Sequence, residues 1–274
     1  MQTIKKEIED LYYLEVTRNY IVVNDAYHGI NVMSFDLNIV RNIELEEDFV
    51  INFSVKHNDE LLLFCYENEC AFYVNLKTGK VCRCDLSDYS DKYFSHIYFW
   101  KNDTVYLLGD GVELSVKVDL SNEDMIKLSP FELSEFNLQK RYIELLNKNI
   151  ISYDNDNDSA LIVQNANYCI WSINNQISID MNIPALNQNK DGLPSDQLFC
   201  KTYYSKDAVV SISEKTILIS VKERGDIYIR PPYELYRFFE GRVADYNEEL
   251  VLFTLCNDNS SEGLSLLMRY NGIY

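Results

Sequence analysis

The sequence predicts an all-β fold, a six-bladed β-propeller of four-stranded antiparallel blades closed by the N-terminal strand. Short apolar runs alternate with polar turns along the chain. In residues 49–86, FVINFSVKHNDELLLFCYENECAFYVNLKTGKVCRCDL, four such runs form one meander. A polar turn followed by an apolar strand recurs at steps of about 40 to 55 residues, the length of a propeller blade. These turns begin at Arg18, Asn58, Asn102, Asn157, Lys206 and Asn247.

Composition also favours stacked sheets. The 274 residues include 21 Tyr and 13 Phe beside only 9 Gly and 5 Pro. Aromatic residues favour strands and fill the space between sheets. Because 47% of the residues are hydrophobic, the chain can bury a large core. We therefore expect residues 1–274 to form a single domain.

Each blade can be assigned its strands in chain order. Blade 1 takes residues 11–16, 20–23, 30–35 and 39–45, and blade 2 takes the four runs of residues 49–86. Blade 3 takes 96–100, 105–109, 112–118 and 125–128, with a tight turn at 109–111. Blade 4 takes 149–154, 160–164, 168–173 and 176–183, and blade 5 takes 198–204, 208–212, 216–221 and 226–229. Blade 6 has three strands, 241–246, 250–256 and 264–270, so residues 2–8 are expected to supply the fourth and close the ring.

Three segments do not fit the meander. Residues 134–147 begin with a capping serine and space apolar residues at helical intervals, which predicts a short helix. Residues 184–196 form a polar loop, and residues 230–240, which are aromatic and begin with Pro, form a connector or a binding loop. A two-sheet sandwich and a ring of five or seven blades remain alternatives.

The repeats resemble those of WD40-like and kelch-like β-propellers in length and strand count. The resemblance covers nearly the whole chain and implies a closed ring of blades. The sequence lacks the WD dipeptide and the GH partner of the WD40 pattern. Its two tryptophans, Trp100 and Trp171, do not recur at one repeat position.

Charge suggests the kind of partner. Against 25 Lys and Arg, 43 Asp and Glu give a net charge of −18. This field repels phosphate backbones and anionic lipids, so we expect a basic protein partner, no direct nucleic acid and no membrane. The alternative is that acidity only maintains solubility. No secretory signal is evident at the N terminus, and an odd number of Cys, seven, indicates reduced thiols, which together predict a cytoplasmic protein.

No motif predicts a cofactor or a metal. Residues 154–158, DNDND, alternate carboxylates as calcium loops do, but Ser159 and Asn165 stand where an EF-hand needs Gly and Glu. The repeats place these residues in a turn of blade 4 instead. Cys82 and Cys84 point to one face of a strand without the CxxC spacing of structural zinc sites.

Catalytic residues are not predicted either. We name the strands of a blade A to D from the channel outward, so that A–B and C–D turns lie on one face of the ring and B–C and D–A loops on the other. His57 is in an A–B turn, His28 is in a B–C loop, and His96 begins an inner strand, so the histidines do not converge. The GxSxG, HExxH and glycine-rich phosphate motifs are absent. We expect a protein that is not an enzyme.

The same topology sorts the acids. Those in the B–C and D–A loops are Asp25, Glu46, Glu47, Asp48, Glu67, Glu69, Asp88, Asp91, Asp110, Glu214, Asp258 and Glu262, opposed only by Lys92 and Lys215. This face is predicted to be nearly unbroken acidic surface, whereas charges on the other face are mixed. Phe49 and Tyr93 fall in or beside these loops. The predicted partner-binding residues are Asp25, Tyr27, Glu46, Glu47, Asp48, Glu67, Glu69, Asp88, Tyr89, Asp91 and Asp110.

Acids that steer encounter around aromatic anchors are typical of a protein-binding face. A small, acidic binder of this kind resembles, in general character, the immunity proteins that neutralise basic, nuclease-like toxins. This interpretation predicts a non-enzymatic module that covers the toxin's active site with its acidic loops. The alternative is an enzyme or glycan-binding propeller with a carboxylate cluster at the central channel.

Overall fold

In the computed structural model, the described residues are 2–89, 93–109, 115–121, 126–131, 150–172, 175, 177–186, 199, 201–205, 208–221, 224–258 and 264–273. At positions 2, 95, 96, 109, 115 and 205 the description covers the backbone alone. The predicted helix at 134–147 and most of the loop at 184–196 lie outside these residues. So does the predicted tight turn after Gly109.

The described residues form four-stranded antiparallel sheets, six in number. Blade 1 contains β2 (Leu14–Val16), β3 (Ile21–Asp25), β4 (Gly29–Met33) and β5 (Ile39–Glu44). Blade 2 contains β6 (Phe53–His57), β7 (Glu60–Cys65), β8 (Cys70–Asn75) and β9 (Lys80–Asp85), followed by a 3-10 turn at Ser87–Tyr89. Blade 3 contains β10 (Phe94–Lys101), β11 (Thr104–Gly109), β12 (Ser115–Asp119) and β13 (Lys127–Pro130).

The second half of the chain continues the pattern. Blade 4 contains β14 (Ile150–Asp154), β15 (Ser159–Gln164), β16 (Asn167–Ser172) and β17 (Ile177–Pro184). Blade 5 contains β18 (Lys201–Ser205), β19 (Ala208–Ile212), β20 (Ile217–Val221) and β21 (Gly225–Ile229). Blade 6 contains β22 (Tyr236–Tyr246), β23 (Glu249–Asp258), β24 (Leu264–Asn271) and β1 (Gln2–Glu9).

The first strand of the chain closes the ring, as the sequence predicts. β1 pairs antiparallel with β24, with Ile4 opposite Arg269 and Ile8 opposite Ser265. The pairing covers the edge that β24 would otherwise leave open, and it joins the two ends of the chain in one sheet. The first strands of neighbouring sheets also contact one another, which places them innermost. The predicted six-bladed propeller is confirmed.

Alternation along each strand builds a core between every two blades. In β7, Leu61 and Leu63 belong to the buried cluster shared with blade 1. Leu62 and Phe64 belong to the cluster shared with blade 3. Because successive side chains point to opposite sides of a sheet, a strand buried on both sides reads as the continuous apolar run seen here.

Several strand boundaries differ from the sequence-based expectation, and two of these differences change which residues form connections. β22 begins at Tyr236, so the second half of the aromatic segment 230–240 belongs to a strand and only its first half is a connector. β2 begins at Leu14, because Tyr12 and Tyr13 donate their backbone N–H groups to the Asn24 side chain rather than to a sheet. Among the described residues, no helix is long and apolar enough to span a membrane.

Candidate functional site

A buried asparagine anchors the loops at one side of blade 1. Asn24 Oδ1 accepts hydrogen bonds from the backbone N–H groups of Tyr12 and Tyr13, at 2.9 and 3.0 Å. Its Nδ2 donates to the carbonyls of Asp10 and Ala26. A fully buried side chain thus satisfies four backbone groups. The incoming chain and the B–C loop of blade 1 are thereby fixed to each other.

A close backbone approach fixes the next loop. A Cβ added at Gly29 would lie 2.1 Å from the Ile43 carbonyl oxygen, so only glycine permits this spacing of β4 and β5. Immediately beyond, Leu45 N–H donates to the His28 carbonyl at 2.8 Å. The loop that carries Glu46, the first acid after this contact, therefore leaves the sheet in a defined direction.

The loops of blades 1 to 3 are then joined in series. Phe49 N–H donates to the Tyr27 carbonyl at 2.8 Å, and Asn68 Nδ2 donates to the Glu47 carbonyl at 3.3 Å. Leu86 N–H donates to the Glu69 carbonyl at 2.8 Å. These bonds tie the B–C loops of blades 1 and 2 and the D–A loops that follow these blades into one surface, which we call the acidic loop face. Its described acids are Asp25, Glu46, Glu47, Asp48, Glu67, Glu69 and Asp88.

The acids of this face differ in their surroundings. Glu47, Asp48, Glu69 and Asp88 are exposed. Asp25 is half-buried and accepts from Asn31 and Asn42. Two others, Glu46 and Glu67, accept from the thiols of Cys70 and Cys65. The predicted binding residues Asp91 and Asp110 lie outside the described residues.

The aromatic residues beside these acids divide into exposed and buried ones. Tyr27 is 44% exposed and stacks on Tyr12, with 5.7 Å between ring centroids. Tyr93 is 67% exposed. Tyr89 is half-buried and packs against the core between blades 2 and 3. The expectation that Phe49 is an interface aromatic is wrong, because its ring is buried in the core of blades 1 and 2.

Two arginines interrupt the acidic surface. Arg83 Nε lies 3.8 Å from a carboxylate oxygen of Glu46, and Arg237 Nε lies 3.5 Å from one of Glu214. Sequence reasoning assigned Arg83 to a strand and Arg237 to the connector 230–240, and it counted neither among the charges of this face. The surface is therefore not the nearly unbroken one predicted from the loop residues, and its densest acidic part lies on blades 1 and 2.

The innermost strands carry a network of paired charges. Lys56 Nζ donates to Glu15 Oε1 at 2.7 Å, and Arg242 Nε lies 3.5 Å from the same oxygen. Arg242 also binds Glu240, which accepts from Lys201 Nζ at 2.6 Å. Burial opposes ionisation of Glu15, but Lys56 and Arg242 outweigh it and lower the pKa of Glu15 to about 2.

This network bears on the alternative of a catalytic channel. A carboxylate pair can act as acid and base only if one member is available for a proton. The buried carboxylates on the described inner strands, Glu15 and Glu240, are both held by cations. Their arrangement serves to join blades 1, 2, 5 and 6 around the channel.

Acids and a histidine also meet on the opposite face. His57 Nδ1 lies 2.7 Å from Asp156 Oδ1, which joins the A–B turns of blades 2 and 4. Asp154 accepts from the backbone N–H groups of Asp156 and Asn157, which makes the DNDND segment the predicted turn of blade 4. His28 lies on the acidic loop face, so these two histidines do face opposite ways. Among the described residues no group of three or more metal-ligating side chains gathers.

Comparisons with known proteins bear on the fold. No family model matches the sequence, and no curated protein matches it. A similar solved structure is Hsv2 of Kluyveromyces lactis, with 9% identity and a TM-score of 0.51 over 97% of this chain and 99% of that one. The Pan2 WD40 domain of Neurospora crassa has 9% identity and a TM-score of 0.42 over 94% and 74% of the two chains. The N-terminal domain of Nup159 has 10% identity and a TM-score of 0.42 over 96% of this chain and 74% of that one. At such identities the likeness shows the fold alone, a β-propeller.

Proposed function

We propose that this chain is a non-enzymatic protein-binding module whose acidic loop face covers a basic surface of a protein partner. The observation that carries this proposal is that the loops of neighbouring blades place several acids and the exposed rings of Tyr27 and Tyr93 on one face. Carboxylates attract a cationic partner over a distance and speed encounter. Tyrosine rings bury a large area with few rotatable bonds and slow dissociation.

The fixed loops favour tight binding. Binding costs free energy wherever flexible loops must be ordered. Here Asn24 and Gly29 fix the loops of blade 1 before any partner arrives. The inter-loop hydrogen bonds of Phe49, Asn68 and Leu86 continue that order to the loop that follows blade 2. A preorganised acidic surface is suited to a partner of fixed shape.

A nuclease-like toxin is the partner that fits this chemistry best. A nuclease cleft is cationic because it binds a phosphate backbone. A rigid surface of carboxylates that occupies the same cations excludes nucleic acid by competition. The chain would then act as an immunity protein, an inhibitor that covers the active site of a basic toxin.

The decisive variant is Glu46→Lys/Glu47→Lys/Asp48→Lys. Its matched control, Asp103→Lys/Glu248→Lys/Glu249→Lys, reverses three exposed acids at the A–B turns of the other face. Both variants have the same net charge. Association with the partner isolated from the source cells is measured by surface plasmon resonance at low and high salt.

The loop-face variant is expected to associate about 10- to 100-fold more slowly at low salt, with a weaker salt dependence and an unchanged melting temperature. The control variant is expected to associate within about threefold of the wild type. Tyr27→Ala is expected to speed dissociation instead. Equal slowing in both charge variants would mean that net charge alone attracts the partner, and the acidic loop face would lose its role. A toxin-type partner should also regain nuclease activity in the presence of the loop-face variant.

A further inference from the structure

Blades 4 and 5 do not close on each other at the outer rim. Ile179 of β17 lies directly opposite Ile170 of β16, so both side chains point toward blade 5, and Ile177 follows on the same side. Yet Ile177 and Ile179 are 56% and 49% exposed. One step along the same strand, Ile183 lies opposite Tyr168 and takes the place that Ile43 has in blade 1 and Ile229 has in blade 5. Ile43 and Ile229 are buried against the next blade, whereas Ile183 is only half-buried.

Blade 5 supplies the facing wall. Val209 belongs to the buried cluster that includes Tyr168 and Met181 of blade 4, which identifies the side of blade 5 that faces blade 4. On this side the register places two neighbouring rows of residues. One row is Ser211, Leu218 and Tyr228, and the other is Val209, Ser220 and Asp226.

Small polar residues explain why the gap exists. The opposite side of the same strands carries Val210, Ile212, Ile217 and Ile219, all buried against blade 6. Toward blade 4, Ser211 and Ser220 stand where those aliphatic residues stand toward blade 6. Two serines bury far less apolar area than two isoleucines, so the blades are held together near the axis and separate outward. Tyr228 at the rim is 61% exposed.

A groove of about 560 Å³, within the usual size of a ligand site, lies between Tyr168, Met181 and Ile183 of blade 4 and the two rows of blade 5. Ile177 and Ile179 lie beyond its lining. Its floor is apolar, from Val209, Leu218 and Met181. Among the lining residues, all of which the structure describes, Asp226 is the one charged side chain. Ser220 Oγ donates to Asp226 Oδ1 at 2.7 Å and so orients the carboxylate. The groove therefore pairs an apolar floor with one fixed negative charge.

We infer that this groove binds an extended peptide segment of a protein partner, with a large apolar side chain followed two residues later by Lys or Arg. Residues two apart in an extended chain lie on one side, about 7 Å from each other. That spacing matches the step from the Leu218–Tyr228 row to the Ser220–Asp226 row. β17 and β21 are the outermost strands of their sheets, and such edges accept an added strand. The site lies on the rim, apart from the acidic loop face, and does not depend on the function proposed for that face.

The test uses fluorescein-labelled Ser/Gly peptides that contain Leu or Phe followed two residues later by Lys, Ala or Glu. In fluorescence anisotropy with the full chain, the Lys peptides should bind more tightly than the Ala peptides, and the Ala peptides more tightly than the Glu peptides. The dissociation constants of the Lys and Glu peptides should differ by about tenfold. Asp226→Asn keeps the acceptor for Ser220 and should remove the preference for Lys. Asp226→Lys should reverse it, and Tyr228→Ser should weaken all peptides. The matched control is Tyr233→Ser, which truncates a tyrosine of similar exposure outside the groove and should change nothing.

Four results would overturn the inference. The first is that peptides with an apolar residue bind no better than Ser/Gly peptides. The second is that the ranking of the peptides survives Asp226→Lys in a variant that melts like the wild type. If the peptides bind only after residues 187–198 are replaced by a Gly/Ser linker, this segment of the chain itself occupies the groove. If the protein self-associates in sedimentation velocity and Tyr228→Ser abolishes the association, a second copy of this chain occupies the groove.

Discussion

Lys56 Nζ lies 2.7 Å from Glu15 Oε1, and this contact joins the innermost strands of blades 1 and 2. Arg242 approaches the same carboxylate from blade 6. One buried acid therefore bridges three blades, including the two that meet where the ring closes. Buried charges of this kind are stable only as a complete set, because removal of one partner leaves the others unpaired in a poorly solvated site.

Glu15→Gln is expected to alter the acid stability of the protein. The pKa of Glu15 is lowered from 4.5 in an unstructured chain to about 2 in the fold. The stabilisation is therefore fully present above about pH 5 and is lost as the pH falls toward 2, a change of about 3 kcal/mol. Urea unfolding between pH 7 and 2 should show this loss in the wild type and not in Glu15→Gln. Glu44→Gln, which removes an exposed acid of the same blade, should follow the wild type. Parallel pH profiles for all three proteins would contradict the role of Glu15.

Asn24→Ala should be among the most damaging polar substitutions. It leaves four backbone groups without their partner, and we expect a loss of about 2 to 4 kcal/mol in the free energy of unfolding. Asn24→Asp keeps the acceptor for Tyr12 and Tyr13 but loses the donors to Asp10 and Ala26, so it should be destabilised as well. Hydrogen exchange should show faster exchange of the Tyr12 and Tyr13 amides in Asn24→Ala. The exposed Asn38→Ala is the control, and an equal effect there would refute the argument.

Deletion of the closing strand β1 should impair the protein, and a peptide copy of the strand should rescue it. Deletion of residues 1–9 exposes the edge of β24, so the truncated protein should melt lower and self-associate through that edge. A peptide of residues 1–10 added in trans should restore the monomer in sedimentation velocity. In the intact chain, Ile8→Asp should destabilise, because Ile8 packs against the core of blades 6 and 1, whereas Ile4→Asp should be nearly neutral. Equal melting temperatures for these two variants would exclude a packing role for β1.

Thiol reactivity should follow burial. Burial, together with Glu46, raises the pKa of Cys70 to about 12, and burial raises the pKa of Cys84 and of Cys256 to about 12. Since the thiolate is the reactive form, these residues should resist iodoacetamide at pH 8 until the protein unfolds. The half-buried Cys82 should react first. Peptide mass spectrometry in a Cys200→Ser background measures the order, and rapid labelling of Cys70 in the folded protein would contradict it.

Much of the fold could be predicted because its signals are local. The apolar runs with polar turns repeat at blade length, and the strand missing from blade 6 identified residues 2–8 as the closing strand. The face on which each loop lies followed from the order of strands alone. The described acids from Asp25 to Asp88 lie in or next to the loops to which that order assigns them, and their part in binding a partner stays a prediction. Asp91 and Asp110 lie outside the described residues.

Side chains with distant partners could not be predicted in this way. In the sequence, Asn24 is a polar residue at the end of the apolar run IVV, and Glu15 is an acid within a predicted strand. Neither feature shows which groups the side chain binds. Phe49 looks like an interface aromatic beside an acidic loop and is a core residue instead.

The sequence by itself determined six blades, their strands and the face of each loop, because alternation and turn chemistry act between neighbours in the chain. The tertiary structure alone decided which charges meet at the axis and where two blades separate. Ile43 and Ile183 occupy the same place in their blades, opposite Ile30 and Tyr168, yet Ile43 is buried and Ile183 is only half-buried. The difference lies in the facing blade, since burial depends on what a distant part of the chain places opposite.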